Sequence, residues 1–245
     1  MRVFRAEMRL IQISVLVSIL IIAAAIFFKM YDPEPRDPSS NTKPQNQTVQ
    51  EPEAPPVIVC LGDSYTYGYP GKQDTSWPKY MEDELRVSVA NAGKRPQTAE
   101  DLLERFDADV LSPGKPLMVI IFSGMGDALH TSQDGSQWLP VQLPSFQVNI
   151  DNMILKARDN GITPILVMPF SYPEADKQEY INQYREWMLG YATDNDVELV
   201  DFQEMLCDGD NGIKKQYSTN GKYPSPDGYM EMGKYIAEQL RDKIQ

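Results

Sequence analysis

Val57-Ile-Val-Cys-Leu-Gly-Asp-Ser-Tyr-Thr-Tyr-Gly68 is the stretch on which the reading of this chain turns. An unbroken apolar run stops at Gly62, and a serine follows two residues later. Such a run predicts a strand covered on both faces, because a half-exposed strand would alternate apolar with polar residues. Gly62 permits a sharp turn, and Ser64 then falls at the start of a helix above the sheet edge. A serine so placed is either a nucleophile or an N-terminal capping residue.

The pattern repeats downstream. Further strands are predicted at Val87–Ala90, Leu117–Phe122, Pro164–Met168 and Val197–Phe202, after the first at Val57–Leu61. Helices are predicted at Trp77–Leu85, Ala99–Phe106, Phe146–Asn160, Glu174–Asn195 and Asp227–Ile244. Strands alternating with helices imply right-handed crossovers and a parallel sheet with helices on both faces. In open parallel sheets the ligand site lies at the carboxyl ends of the strands. Those ends carry Gly62-Asp63-Ser64, Asn91-Ala92-Gly93 and Ser123-Gly124-Met125-Gly126-Asp127. Near the C-terminus comes Asn220-Gly221-Lys222-Tyr223-Pro224, leading into the last helix.

In order and spacing these segments resemble the SGNH/GDSL hydrolase family of esterases, lipases, thioesterases and carbohydrate deacetylases. The resemblance runs from about Val57 to the C-terminus. It implies a flavodoxin-like three-layer α/β/α sandwich on a five-stranded parallel sheet. It rests on Gly62-Asp63-Ser64 with Tyr67-Gly68 and Trp77-Pro78, on Asn91, Gly93 and Thr98, on Gly124 and Asp127, and on Pro224, Gly228 and Tyr229. It implies that Ser64 holds the nucleophile position and that its N–H and that of Gly93 are oxyanion donors. Three further positions depart from the pattern: Gly126 replaces the oxyanion asparagine, Asn220 the catalytic aspartate and Tyr223 the catalytic histidine.

Each departure has a size. One lost oxyanion donor costs about 3–4 kcal/mol of transition-state stabilisation. A lost base is worse, because a serine hydroxyl is a weak nucleophile until its proton is removed. In serine hydrolases that loss reaches on the order of 10⁶ in turnover. The chain's single histidine, His130, lies four residues beyond Gly126, on the active-site side of the sheet. It is a candidate rescue base or a plain loop residue. Asp127 and Asp227 are weaker candidates, since an ordinary carboxylate is a poor base for a hydroxyl. Tyr65, Tyr67, Tyr69 and Trp77 near Ser64 can line an acyl pocket, stack on a sugar or pack in the core.

Two readings of function follow. In one the chain is an impaired esterase or a pseudoenzyme whose pocket binds an envelope glycan, lipid or protein. In the other it is an active ester hydrolase of acyl or acetyl groups, with Ser64 served by a non-standard base such as His130. The missing base weighs toward the first. No cofactor is expected and no metal site either. Asp208-Gly-Asp210-Asn-Gly212 lacks the spacing and distal glutamate of a calcium loop. The net charge of −12 and pI near 4.6 argue against a nucleic-acid partner. Cys60 reads as a small core residue and not as half of a bridge to Cys207.

Before Val57 the composition changes. Arg2, Arg5 and Arg9 precede Leu10–Phe28, 19 residues without a charge. As a helix that run spans about 28 Å, close to the hydrocarbon thickness of a bilayer. Residues 1–30 are therefore expected to form a single transmembrane signal anchor, with the basic end in the cytoplasm and the rest outside. Ala23-Ala24-Ala25 leaves a cleaved signal peptide open, which also exports the domain. Residues 31–56, with prolines at 33, 35, 38, 44, 52, 55 and 56, read as a disordered linker. Residues 57–245 are the hydrolase-like domain.

Overall fold

The computed structural model describes residues 57–209 and 211–244. The expected membrane helix and the proline-rich linker lie outside the described residues. Among the described residues no helix is long and apolar enough to cross a membrane.

Five strands form one parallel sheet: β1 (Ile58–Gly62), β2 (Val89–Gly93), β3 (Met118–Phe122), β4 (Thr163–Val167) and β5 (Glu198–Val200). Their order is β2-β1-β3-β4-β5, so the chain reverses direction between β1 and β3. That reversal is the switch point at which ligands bind in sheets of this kind. All residues of β1 and β3 are buried, as their continuous apolar runs require. β5 is shorter than predicted, and β2 begins two residues later and ends at Gly93. Its register against β1, Ile58 opposite Val89 and Gly62 opposite Gly93, draws polar Asn91 into the ladder. Asn91 is tolerated because β2 is an edge strand and its amide is satisfied, donating to the Thr66 carbonyl at 2.9 Å and the Ser76 hydroxyl at 2.8 Å.

The helices are α1 (Ser64–Tyr67), α2 (Trp77–Leu85), α3 (Ala99–Glu104), α4 (Met125–Ala128), α5 (Leu143–Asp159), α6 (Ala175–Asn195), α7 (Gln203–Leu206) and α8 (Pro226–Leu240). α2 packs against α8, while α3 packs against α5 and α5 against α6. Right-handed crossovers put the first pair on one face of the sheet and the other three on the opposite face. α2 keeps its predicted bounds. α8 starts at Pro226 behind a Ser225 cap, whose hydroxyl accepts from the Gly228 N–H, and buries Tyr229, Met232, Ile236, Ala237 and Leu240 at helical spacing. α3 is shorter than predicted and passes into a π-helical turn at Asp107–Leu111. α1 is the helix expected to start at Ser64, though only one turn long, while the one-turn helices α4 and α7 were not predicted, being too short to show a period. Cys60 and Cys207 are both buried and unpaired.

Two carboxylates are buried at the carboxyl end of the sheet. Asp63 caps α1 by accepting from the Tyr65 N–H at 2.9 Å, and also accepts from the Gly126 N–H at 2.8 Å. Asp127 accepts from the Ala99 N–H (2.9 Å), the Ser123 hydroxyl (3.1 Å) and the Gly124 N–H (3.1 Å). Burial pushes Asp63 up to about 7 and Asp127 up to about 6, in each case against the pull of its donors. The folded state therefore holds these protons over a range where the unfolded chain, with carboxylates near about 4, has released them. Their contribution to stability is full below about pH 4 and is lost as pH rises toward 7, by at most about 1.4 kcal/mol per unit for each group. Thermal unfolding of the full chain should show a midpoint that falls between pH 5 and about 7.5. The double variant Asp63→Asn/Asp127→Asn should be less stable throughout but nearly flat across that window.

Candidate active site

Ser64 opens α1 directly behind the Asp63 cap, and the left-handed Gly68 closes that helix by donating to the Ser64 carbonyl. The side chain is half-buried. It lines a cavity of about 450 Å³ together with Gly126, His130, Tyr223, Pro96 and Gln97. Ser64, Gly126, His130 and Tyr223 thus converge on one site. Gly93 and Asn220 line other hollows. No described side chain accepts a hydrogen bond from the Ser64 hydroxyl.

Tyr223 is a packing residue. Its ring stacks on Tyr65 at 5.2 Å and meets Tyr69 edge-on at 4.7 Å between centroids. Burial pushes its phenol up to about 12, so the phenolate that could act as a base is absent at neutral pH. Asn220 acts on its own loop. Its Oδ1 accepts from the Lys222 N–H at 2.9 Å and the Tyr223 N–H at 3.1 Å, forming the turn that sets Tyr223 against Tyr65.

Gly93 corrects one expectation. Its N–H donates to Asn91 Oδ1 at 2.9 Å, so that donor is already engaged. A Cβ at this position would lie 2.2 Å from the Tyr67 nitrogen, so the glycine is needed for β2 to pass close under α1. The first residue after β2 to line the Ser64 cavity is Pro96, which has no N–H to offer. The only signal in the sequence is the proline itself, standing where a backbone donor is wanted.

Gly126 is equally constrained. A Cβ there would fall 1.8 Å from the Gln97 carbonyl oxygen. No asparagine fits while the loop of residues 94–97 keeps its course, and the Gly126 N–H is bonded to Asp63. Of the donors that the family pattern supplies, only the Ser64 N–H has no partner among the described residues.

The remaining candidate bases divide clearly. Asp127 is fully buried with three donors around it and holds loops together, so it is not free to take a proton from Ser64. Asp227 is exposed in the first turn of α8 and lines neither cavity that Tyr223 borders. His130 is exposed, and no described side chain bonds its ring. Trp77 and Tyr65 are core residues, and Tyr67 and Tyr69 lie beneath Arg95, whose guanidinium carbon is 5.0 and 4.7 Å from their ring centroids.

Comparison with known proteins agrees with this geometry. Residues 60–230 match the GDSL-like lipase/acylhydrolase family. A putative lipolytic protein of the G-D-S-L family from Desulfitobacterium hafniense is 41% identical, with 74% of this chain and 97% of that one covered and a TM-score of 0.66. The fold is shared with a GDSL-like lipase from Bacteroides thetaiotaomicron (24% identity, 78% and 93% covered, TM-score 0.62). It is also shared with a catalytic mutant of an acetylxylan esterase from Geobacillus stearothermophilus (19% identity, 76% and 94% covered, TM-score 0.63). No curated protein matches the chain. With the serine turn, the strand order and the match over most of the domain in agreement, the chain belongs to the GDSL-like lipase/acylhydrolase family.

Proposed function

We propose that this GDSL-family protein has lost standard ester hydrolysis and works as a binding protein. Its N-terminal helix holds it at the outer face of a membrane, and its Ser64 cavity takes an envelope glycan, lipid or protein segment. The observation that carries this reading is the position of Tyr223. Its ring is packed against Tyr65 and Tyr69 where the family pattern needs a base, and the Ser64 hydroxyl has no acceptor among the described side chains. A serine without a base and with one oxyanion donor lacks the proton acceptor and most of the oxyanion site that acyl transfer needs.

A second reading has one observation in its favour: His130 lines the same cavity as Ser64. In it, His130 takes the serine proton in an active acylesterase or deacetylase. An exposed ring with no partner is poorly oriented for that role, since a base must be held within hydrogen-bond reach of the proton it abstracts.

Hydrolysis of a short activated ester separates the two. The full chain in detergent micelles should be no faster than its Ser64→Ala variant, and His130→Ala should change nothing. A parent more than about tenfold faster than Ser64→Ala, with His130→Ala as slow as Ser64→Ala, would establish the second reading instead.

Rebuilding the pattern gives another test. Asn220→Asp with Tyr223→His supplies an aspartate and a histidine, yet leaves the oxyanion site short of a donor. Adding Gly126→Asn should not complete it. With a Cβ 1.8 Å from the Gln97 oxygen, this substitution should lower stability by about 1–3 kcal/mol or more, read as a drop in the urea midpoint.

A further inference from the structure

We propose that the groove along the free edge of β2 is a second binding site, and that its ligand is an acidic sugar, a hydroxylated ring carrying a carboxylate or phosphate. The groove encloses about 670 Å³ and is lined by Tyr67, Gln73, Asn91, Lys94, Arg95 and Asp109, among others. It shares no lining residue with the Ser64 cavity, and the proposal does not depend on whether Ser64 is active.

Arg95 is the centre of the argument. It is exposed and stacked over Tyr67 and Tyr69, and no ion pair or hydrogen bond among the described residues uses its guanidinium. Two rings 5.0 and 4.7 Å from the guanidinium carbon restrain the group while its N–H donors stay unpaired, and a guanidinium can grip a carboxylate or phosphate through two parallel bonds. Lys94 and Arg105 lie alongside, both paired to the single carboxylate Asp109. Of the groove's own lining, two cations, Lys94 and Arg95, face one carboxylate, Asp109, in a chain whose net charge is −12. A general field of that sign repels anions, so an anion is held here only through local contacts such as those Arg95 can make.

The edge of β2 is closed to another strand. Gln73 Nε2 donates to the Asn91 and Gly93 carbonyls at 3.2 Å each. Glu82 Oε1 accepts from the Val89 N–H at 3.3 Å, and Asn91 itself takes the Gly93 N–H. With these groups engaged, a peptide cannot add to the sheet here. The floor is small, made of Ala90, Ala92 and Gly93. Gln73 Oε1 has no donor among the described residues and can accept from a hydroxyl. A sugar ring matches that combination of open floor, amide acceptor and oriented cation, and an acyl chain does not.

The test is calorimetric titration of the full chain in detergent micelles with a galacturonate hexamer and, separately, with a neutral maltose-type hexamer. The acidic hexamer should bind at least about tenfold more tightly and weaken with salt, as expected for a charge-assisted bidentate contact. Arg95→Ala should remove that preference, Arg95→Lys should restore only part of it, and Lys215→Ala, which takes away an exposed cation outside the groove, should leave it intact. Equal binding of the two hexamers, no binding of either, or an Arg95→Ala variant that binds as the parent does would overturn the proposal. So would an affinity for anionic phosphatidylglycerol vesicles that the acidic hexamer cannot compete away.

Discussion

The site is organised around the carboxylate of Asp63. It sits at the end of β1, caps α1 through the Tyr65 N–H, and reaches across to the Gly126 N–H at the end of β3. One buried group therefore joins the loops on either side of the topological switch point and sets where Ser64 stands. Leaving it unpaired would carry the full desolvation penalty of a buried carboxylate, so the Gly126 backbone is held close. A backbone N–H engaged by that carboxylate is not available to a developing oxyanion. The constraint that builds the serine turn thereby withdraws a donor from it.

The departure at Gly126 belongs to a connected set of contacts. The Gln97 carbonyl occupies the space that a side chain at residue 126 would need. Gln97 is held there by Arg105, whose Nε donates to Gln97 Oε1. The same guanidinium donates to the Ala92 carbonyl at 2.7 Å and the Gly62 carbonyl at 2.9 Å, locking the ends of β2 and β1. Pro96 is carried into the Ser64 cavity by this arrangement. On the proposed reading no single reversion restores the hydrolytic geometry, because residues 96, 97, 105 and 126 share contacts and their effects cannot be independent.

Much of this was legible in the sequence. The buried strands β1 and β3 could be read from unbroken apolar runs, and α2 was expected at its observed bounds and α8 within one residue of its observed start. The order of the strand-end segments pointed to the family and singled out Gly126, Asn220 and Tyr223 as the altered positions. What could not be read was anything decided by a through-space partner. Asn91 belongs to a strand only because β1 fixes its register, and Gly93 loses its donor to that same asparagine. Pro96 replaces Gly93 at the cavity because the loop crosses β1 before turning into α3. Asp127 has the composition of a base and the environment of a cross-brace. In each case the deciding contact joins segments far apart in the chain, and local patterns carry no information about it.

Gly62, Asp63 and Ser64 form one block in sequence, yet the structure accounts for them unequally. Asp63 is explained by its two backbone donors, and the tight turn at Gly62 by the close approach of Thr66 and the Phe122 carbonyl, 2.1 and 2.9 Å from where a Cβ would lie. Folding therefore requires both, whatever the chain's chemistry. Ser64 is different. Its hydroxyl bonds to no described side chain, caps no helix and fills no packing gap, since the residue is half-exposed at the wall of a cavity. An alanine would satisfy every internal contact that the structure assigns to it. The use of that hydroxyl lies outward, toward whatever enters the cavity. On the proposed reading, with no base beside it, the hydroxyl serves there as a hydrogen-bond donor and acceptor, which is the role of a binding residue.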